Sequence, residues 1–274
     1  MKKHLYACGC SFTDSNWRLK NTNLQRTDIG DWPKWPEVLA NELGLQHVNW
    51  GSAGCSNDVI LDYSTRYILE NHKDIELVCI LWTEAERFWL LDQSYVHLQN
   101  WIPKNENLDE DKELLLYPHE TVHHMYRYLN NNSGGLGLVF GRRYTKQVYT
   151  LQKLCQELNL KYIFAQALGP FYFLQIQDKA EHLKLDNFNA MQELKNFTKV
   201  KYFHDIDRDH FIGWPGQLEL GGYTVQDKPP YNHELHDVGP TYPDIAKPGD
   251  PHPNAIGHQL IADLYLNKHK QLYG

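Results

Sequence analysis

The sequence predicts an α/β protein in which a parallel β-sheet of about five strands is covered by helices on both faces. Short runs of apolar, β-forming residues alternate along the chain with segments of helical periodicity. The clearest apolar run, E-L-V-C-I-L-W at residues 76–82, is continuous, which is typical of a strand buried on both faces of a sheet. Strands connected through helices pair in parallel, so the alternation also predicts the direction of the strands.

Glycines mark the ends of several predicted strands. The first apolar run stops at Gly9, the second is followed by Gly51, and the fourth ends at Gly169 and Pro170, as expected where a strand gives way to a turn. The predicted strands are residues 4–8, 46–50, 76–82, 161–168 and 200–203.

The predicted helices are recognised by apolar residues that recur three and four positions apart. Pro36 opens the first helix and Gly44 closes it, while Asn57 is a candidate N-cap of the second. The predicted helices are residues 36–43, about 57–68, 145–158, 180–197 and about 254–268.

Two segments, about 92–144 and 205–248, do not follow the alternation of strands and helices. Neither has a strong apolar pattern of its own. We therefore predict a single domain over residues 1–274, with these two segments inserted over the functional site.

Composition and charge exclude several classes of protein. The 274 residues are 42% hydrophobic and 22% charged, which is ordinary for a soluble globular protein. The net charge of -7, without a basic stretch, argues against nucleic acid or an anionic membrane surface as the main partner. No apolar run approaches the roughly 20 residues of a membrane span.

The cysteines and the N-terminal residues indicate the cellular compartment in which we expect the protein. The five cysteines are an odd number without zinc-ribbon spacing, which favours reduced, buried thiols over a disulfide framework. The first apolar run is too short for a signal peptide. We expect a protein that stays in the cytoplasm of the producing cell, or that a virion carries out of it.

Three short segments, far apart in the chain, carry the groups that acyl transfer requires. Residues 9–13 place Ser11 at the end of the first strand, residues 49–54 form a glycine loop after the second, and residues 250–254 hold Asp250 and His252 before the last helix. A serine nucleophile, a histidine base, an orienting carboxylate and backbone N–H groups for the oxyanion are the parts of a serine hydrolase. Ligands bind at the carboxyl ends of parallel strands, so Ser11 and the glycine loop should share one edge.

These segments resemble the conserved blocks of the SGNH (GDSL-type) hydrolase family. G-C-S-F-T is similar to the first block, with Ser11 in the nucleophile position and Cys10 where an acidic residue is usual. V-N-W-G-S-A-G-C-S-N is similar to the second, with Gly54 in the position of an oxyanion donor that acts beside the N–H of Ser11. D-P-H-P-N-A-I-G-H is similar to the last, which implies Asp250 as the acid and His252 as the base. The resemblance implies a flavodoxin-like three-layer α/β/α sandwich, no metal or other cofactor, and hydrolysis of esters or removal of O-acyl groups.

The third block departs from the family pattern. Where the family has G-x-N-D after the third strand, with an asparagine in the oxyanion hole, this chain places Glu84. Thr83, Arg87 and Asn57 are the candidates for a replacement donor. Arg87 is equally consistent with anchoring substrate, together with Glu84, and with pairing structurally with Glu84 or Glu86. The acid also precedes the histidine by two residues, where three is commoner, which leaves Asp244 as an alternative acid.

Other functions compete with ester hydrolysis, for which we expect a small-molecule or glycan ester, preferably a carbohydrate O-acetyl ester. Transfer of the acyl group to a second sugar would use the same residues. A non-catalytic glycan-binding or structural protein of a virion or envelope is a second hypothesis on the same fold. The sequence H-E-T-V-H, with His119, Glu120 and His123, matches the H-E-x-x-H zinc motif, but Pro118 places it in a first helical turn.

Overall fold

The structure is a computed structural model that describes residues 3–15, 32–87, 119–171, 185, 187–226, 253 and 255–274. It contains one five-stranded sheet with the strand order β2-β1-β3-β4-β5, and every pair of neighbouring strands is parallel. This order is that of a flavodoxin-like doubly wound sheet, and the predicted fold class is confirmed. The strands are β1 (His4–Gly9), β2 (Gln46–Asn49), β3 (Ile75–Trp82), β4 (Lys161–Gln166) and β5 (Phe211–Ile212).

Helices cover both faces of the sheet and complete a three-layer sandwich. The first and last helices pack together on one face, and the second, fourth and fifth lie on the other. The third helix packs against the fourth. The helices are α1 (Trp35–Glu42), α2 (Asn57–Asn71), α3 (His119–Asn132), α4 (Leu136–Glu157), α5 (Ala190–Phe197) and α6 (Ala255–Tyr273).

The position of the central strand β3 between two layers of helices explains why its sequence is continuously apolar. Leu77, Cys79 and Leu81 pack in the cluster beneath α1 and α6, whereas Val78, Ile80 and Trp82 pack in the cluster beneath α2, α4 and α5. All six are fully buried. Because successive side chains of a strand point to opposite faces, a strand covered on both sides must be apolar at every position.

The fifth strand lies outside its predicted position. Residues 201–204 form a short 3-10 helix, Lys201–His204, and the sheet is instead completed by β5, Phe211–Ile212. Val200 and Phe203 are buried three residues apart, which suits a 3-10 turn as well as a strand. A run of four apolar residues does not distinguish the two structures, and the prediction of a strand at 200–203 was wrong.

The helix predicted at 145–158 begins nine residues earlier, at Leu136. Leu136, Phe140 and Tyr144 are fully buried, so this part of the predicted insertion belongs to the core. Two glycines hide the pattern: a Cβ atom on Gly141 would lie 2.7 Å from the Phe197 ring of α5, and one on Gly137 would collide with the backbone of the same helix. The glycines are there because α4 and α5 approach closely, and they weaken the helical signal of the sequence.

The helix predicted at 180–197 is α5, which begins only at Ala190; residues 187–189 before it are not helical, so that part of the prediction was wrong. The remaining elements begin and end within about five residues of their predicted bounds. Ser56, not Asn57, is the N-cap of α2, and Asn57 is its first helical residue. The segments 92–118 and 227–248, as well as 180–184, lie outside the described residues. Within the described residues, no helix is long and apolar enough to cross a membrane. All five cysteines are described, and each is buried and free of a disulfide, as expected.

Candidate active site

The chain turns sharply after β1 and places Ser11 at the carboxyl edge of the sheet. The N–H groups of Thr13 and Asp14 both donate to the carbonyl oxygen of Cys10, at 2.8 and 3.1 Å, so residues 10–14 form a compact turn that we call the serine turn. Ser11 lies inside it and is 7% exposed. These two bonds fix the backbone on either side of Ser11.

The loop after β2, residues 50–54, lies beside the serine turn. Its backbone continues the pairing with β1, because the N–H of Trp50 donates to the carbonyl of Ala7 at 2.8 Å and that of Ser52 donates to Gly9 at 3.0 Å. Gly54 has a φ of 80°, a left-handed conformation that glycine adopts without strain. No described residue accepts a hydrogen bond from the Gly54 N–H, so this donor is free of other described parts of the chain.

Side chains tie the serine turn to the glycine loop. The Asn49 amide nitrogen donates to the Thr13 carbonyl at 2.6 Å, and its amide oxygen accepts from the Gly51 N–H at 2.8 Å. The Asp14 carboxylate accepts from the Ala53 N–H at 2.9 Å. These bonds fix the Ser11 turn and the Gly54 loop relative to each other. The prediction that both lie at one edge of the sheet follows from the parallel pairing of β1 and β2.

The loop after β3, residues 83–87, is held by Asn57. The Asn57 amide nitrogen donates to the carbonyls of Thr83 (2.9 Å) and Glu84 (3.4 Å), and its amide oxygen accepts from the Thr83 N–H at 2.9 Å. Asn57 is 1% exposed. Both ends of this amide are engaged with backbone, which makes it a structural clamp between α2 and the loop and leaves it no N–H for an oxyanion in this arrangement.

Glu84 forms a buried ion pair with Arg87. The Arg87 Nη2 lies 2.9 Å from Glu84 Oε1, and Nε lies 2.6 Å from Oε2. The Thr83 hydroxyl also donates to the Glu84 carboxylate, so it too is occupied. The side chains of Arg87 and Glu84 are 8% and 2% exposed. Of the two roles considered for Arg87, these contacts favour a structural partner of Glu84, and they neutralise a carboxylate that would otherwise oppose an oxyanion.

Further polar side chains hold the same loop, and sequence reasoning missed them. Gln166, at the end of β4, donates to the Thr83 carbonyl at 2.9 Å and accepts from the Tyr144 hydroxyl at 2.7 Å. Arg143 donates to the carbonyls of Ala85 (3.3 Å) and Arg87 (2.9 Å). No local sequence signal marks these residues, because their partners are backbone atoms far away in the chain.

Arg143 is itself held from the other side. It forms an ion pair with Asp58 in the first turn of α2, and Gln147 donates to the same carboxylate at 2.5 Å. Burial lowers the pKa of Arg143 to about 10, which leaves it charged at neutral pH. Arg143 thus connects the loop after β3 with both α4 and α2.

Asp250, His252 and the alternative acid Asp244 lie outside the described residues, and their roles stay predictions. The helix that follows them is described. In α6, the His258 ring contacts the start of α1, the Tyr265 hydroxyl donates to the Ile80 carbonyl in the middle of β3, and Tyr273 bonds to Tyr162 at the start of β4. The helix therefore runs antiparallel to the strands and begins at the carboxyl edge. His252 precedes its first residue, Ala255, by three positions, which span about 10 Å of extended chain.

The H-E-x-x-H motif begins a helix, as predicted. α3 starts at His119, so the motif forms its first turn, and the side chains of residues 119–123 lie outside the described ones. Among the side chains that the structure describes, no group of three or more His, Cys, Asp or Glu residues could hold a metal ion.

Comparisons with known proteins find similarity at the level of structure. No family model matches the sequence, and no curated protein matches it. A catalytic mutant of Axe2, an acetylxylan esterase from Geobacillus stearothermophilus, is 14% identical with a TM-score of 0.43, over 97% of this chain and 93% of that one. A lipase/acylhydrolase from Enterococcus faecalis is 12% identical with a TM-score of 0.43, over 98% and 96%. A GDSL-like lipase from Parabacteroides merdae is 11% identical with a TM-score of 0.37, over 98% and 96%.

Proposed function

We propose that the protein is a serine-dependent ester hydrolase and a divergent member of the SGNH (GDSL-type) family. One observation carries the proposal: the serine turn and the glycine loop are locked together at the carboxyl edge, where α6 also begins. This arrangement supports a shared site for the nucleophile, the oxyanion donors and the segment with the acid and the base.

The proposed reaction proceeds through an acyl-enzyme. His252 takes the proton of the Ser11 hydroxyl, whose oxygen attacks the carbonyl carbon of the ester, while Asp250 orients the imidazole. The N–H groups of Ser11 and Gly54 donate to the oxyanion of the tetrahedral intermediate. The C–O bond to the alcohol breaks, and His252 protonates the leaving oxygen. Water, deprotonated by His252, then attacks the acyl carbon and releases the acid and free Ser11.

The oxyanion hole that we propose has two donors. Asn57 and Thr83 are committed to contacts with the loop after β3 and with Glu84, and the Arg87 guanidinium is paired with Glu84, so we assign no third donor to these side chains. The absence of one donor typically costs about 3–4 kcal/mol of transition-state stabilisation. We therefore expect a slower esterase than one with a complete oxyanion hole.

Carbohydrate O-acetyl esters are the substrate class that we propose. Trp50 lies in the glycine loop, is 37% exposed, and packs edge-on against Tyr63 with the ring centroids 5.8 Å apart. Exposed aromatic rings of this kind present an apolar face with polar neighbours, which suits a sugar ring better than an acyl chain. Water and a second sugar hydroxyl are alternative acceptors for the acyl group.

The decisive experiment measures ester hydrolysis and labelling of Ser11 together. Purified protein should hydrolyse a chromogenic acetyl ester, and a fluorophosphonate should modify Ser11, as read by peptide mass spectrometry. Ser11→Ala should lose both, with a fall in rate of about 10³-fold or more. His252→Ala should lose hydrolysis to a similar extent. Full activity in the Ser11→Ala variant would overturn the proposal.

A non-catalytic glycan-binding or structural protein on the same fold is the second candidate. The Glu84–Arg87 pair favours it, because it occupies the position where an oxyanion-donating asparagine is expected. This candidate predicts glycan binding without fluorophosphonate labelling. A zinc hydrolase that uses His119, Glu120 and His123 would instead purify with stoichiometric zinc.

A further inference from the structure

Thr13 lies two residues after Ser11 and plays no part in the proposed chemistry, yet the surrounding elements converge on it. It is fully buried. Its hydroxyl oxygen accepts from the Trp35 indole N–H at 3.3 Å, and its carbonyl accepts from Asn49 at 2.6 Å. A Cβ atom on Gly51 would lie 2.6 Å from that of Thr13. The position of the serine turn therefore depends on what Thr13 touches.

Trp35 connects the serine turn to the last helix. Its backbone N–H donates to His258 Nδ1 at 3.3 Å, and its ring stacks on Tyr265 with the centroids 4.6 Å apart and the planes at 7°. Trp35 is fully buried. One residue at the start of α1 thus contacts the serine turn through its indole N–H and α6 through its backbone and its ring.

We infer that Thr13, Trp35 and His258 act as positioning residues that fix the serine turn relative to the first turn of α6, the helix that follows the predicted base in the sequence. This inference rests on the proposed function. The nucleophile and the base come from opposite ends of the chain, so only non-covalent contacts determine their separation. His258 lies in the first turn of α6, and Pro253, between it and His252, is buried and has a fixed φ.

If these residues position the reacting groups, their substitution should slow the chemical step itself. A misplacement of reacting groups by about 1 Å costs about a hundredfold in rate. Core packing alone would instead lower stability and leave the rate of the folded enzyme unchanged. The turnover number and the rate of Ser11 labelling separate these two roles, and the melting temperature does not.

The test compares two variants, each of which removes one partner of the hydrogen bond from the Trp35 indole N–H to the Thr13 hydroxyl. Trp35→Phe removes the indole N–H and keeps an aromatic ring against Tyr265, and Thr13→Val removes the hydroxyl acceptor. Each should lower kcat for the acetyl ester and the fluorophosphonate labelling rate by about tenfold or more, with KM changed less than twofold. The double variant should lose no more than either single one, because both changes break the same bond.

Conservative variants and a matched control complete the test. Thr13→Ser keeps the hydroxyl and should recover most of the rate lost in Thr13→Val. His258→Asn keeps an acceptor near the place of Nδ1 and should retain more activity than His258→Leu. Tyr162→Phe removes partly buried hydroxyl contacts to Asp207 and Gln156 at the opposite edge of the sheet, and should lower the melting temperature at unchanged kcat.

The outcomes distinguish this inference from the proposed function. Unchanged kcat and labelling in Trp35→Phe and Thr13→Val, with Ser11→Ala inactive, would overturn the positioning role and leave the esterase in place. Equal losses in Thr13→Ser and Thr13→Val would also overturn it, because the hydroxyl would then be irrelevant. Full activity of Ser11→Ala would overturn both.

Discussion

The two edges of the sheet use polar residues in different ways. At the carboxyl edge, the buried amides of Asn57 and Gln166 bond to the backbone of the loop after β3, and the Glu84–Arg87 pair is almost fully buried. At the amino edge, Lys161 and Glu76 pair at 2.6 Å with side chains 41% and 27% exposed. Buried polar groups bonded to backbone fix loops in one conformation, whereas half-exposed pairs contribute little free energy of folding. We therefore expect the carboxyl edge to carry the site and the amino edge only to close the sheet.

The largest effect on folding is expected from breaking the buried pair. Arg87→Met leaves the Glu84 carboxylate buried without its cation and should lower the free energy of unfolding by about 3–5 kcal/mol. Urea denaturation followed by circular dichroism measures this change. The double variant Glu84→Gln with Arg87→Met removes the charge as well and should recover most of the loss. A loss below about 1 kcal/mol in Arg87→Met would show that this pair behaves like the exposed pairs of the amino edge.

Gly51→Ala tests the contact between the glycine loop and the serine turn. The new Cβ would lie 2.6 Å from the Thr13 Cβ, so the two loops must move apart at a cost of about 1–3 kcal/mol. Ester hydrolysis should fall with it, because Ser11 and the Gly54 N–H separate. Gly44→Ala is the matched control, since a Cβ there meets nothing within 4 Å. It should reduce stability through its φ of +66° alone, at unchanged rate.

Tyr162→Phe probes the amino edge. The Tyr162 hydroxyl donates to Asp207 at 3.0 Å and accepts from Gln156 at 2.9 Å, so its removal should cost about 1–1.5 kcal/mol. Thermal unfolding and the esterase assay, carried out on one preparation, give the loss of stability and the value of kcat. A loss of kcat in this variant would contradict the division of labour between the two edges.

The smallest expected effect is the contribution of Glu76 to the pH dependence of stability. The hydrogen bond from Lys161 lowers the pKa of Glu76 in the folded protein. A lowered carboxyl pKa stabilises the fold above the unfolded pKa of about 4.3, and this stabilisation is lost as the pH falls through the folded value. Glu76→Gln should therefore lower stability by less than about 1 kcal/mol at pH 7 and by less still at pH 3. A difference between wild type and variant that grows on acidification would contradict this assignment.

The sequence predictions were accurate where the structure is signalled by a pattern of neighbouring residues. β3 and the start of α2 were predicted within one residue, because a continuous apolar run and a polar residue before a periodic segment are local features. The strand placed at 200–203 was wrong, because the true partner of β4 is a pair of residues, Phe211–Ile212. Such a short strand exists only through its hydrogen bonds to β4, and no local pattern encodes them.

The residues of the candidate site also fall into those with a local sequence signal and those without one. Ser11 and Gly54 were singled out because both directly follow predicted strands and because residues 250–254 supply an acid and a histidine that complete the same set of groups. The Asn57 clamp, the Arg143 contacts and the connection from Thr13 through Trp35 to His258 were not predicted. Each joins residues that are more than 20 positions apart, and the residue types involved are common.

The amino-acid sequence by itself determined the alternation of strands and helices, the two apolar faces of β3, and the presence of a serine and a glycine loop after the first two strands. Hydrophobic period and turn chemistry act over a few residues, so they can be read along the chain. Only the tertiary structure decided that Glu84 is neutralised by Arg87, that Asn57 serves the backbone, and that Trp35 joins both ends of the chain. Those outcomes depend on which groups lose contact with water together, and burial is a property of the packed molecule.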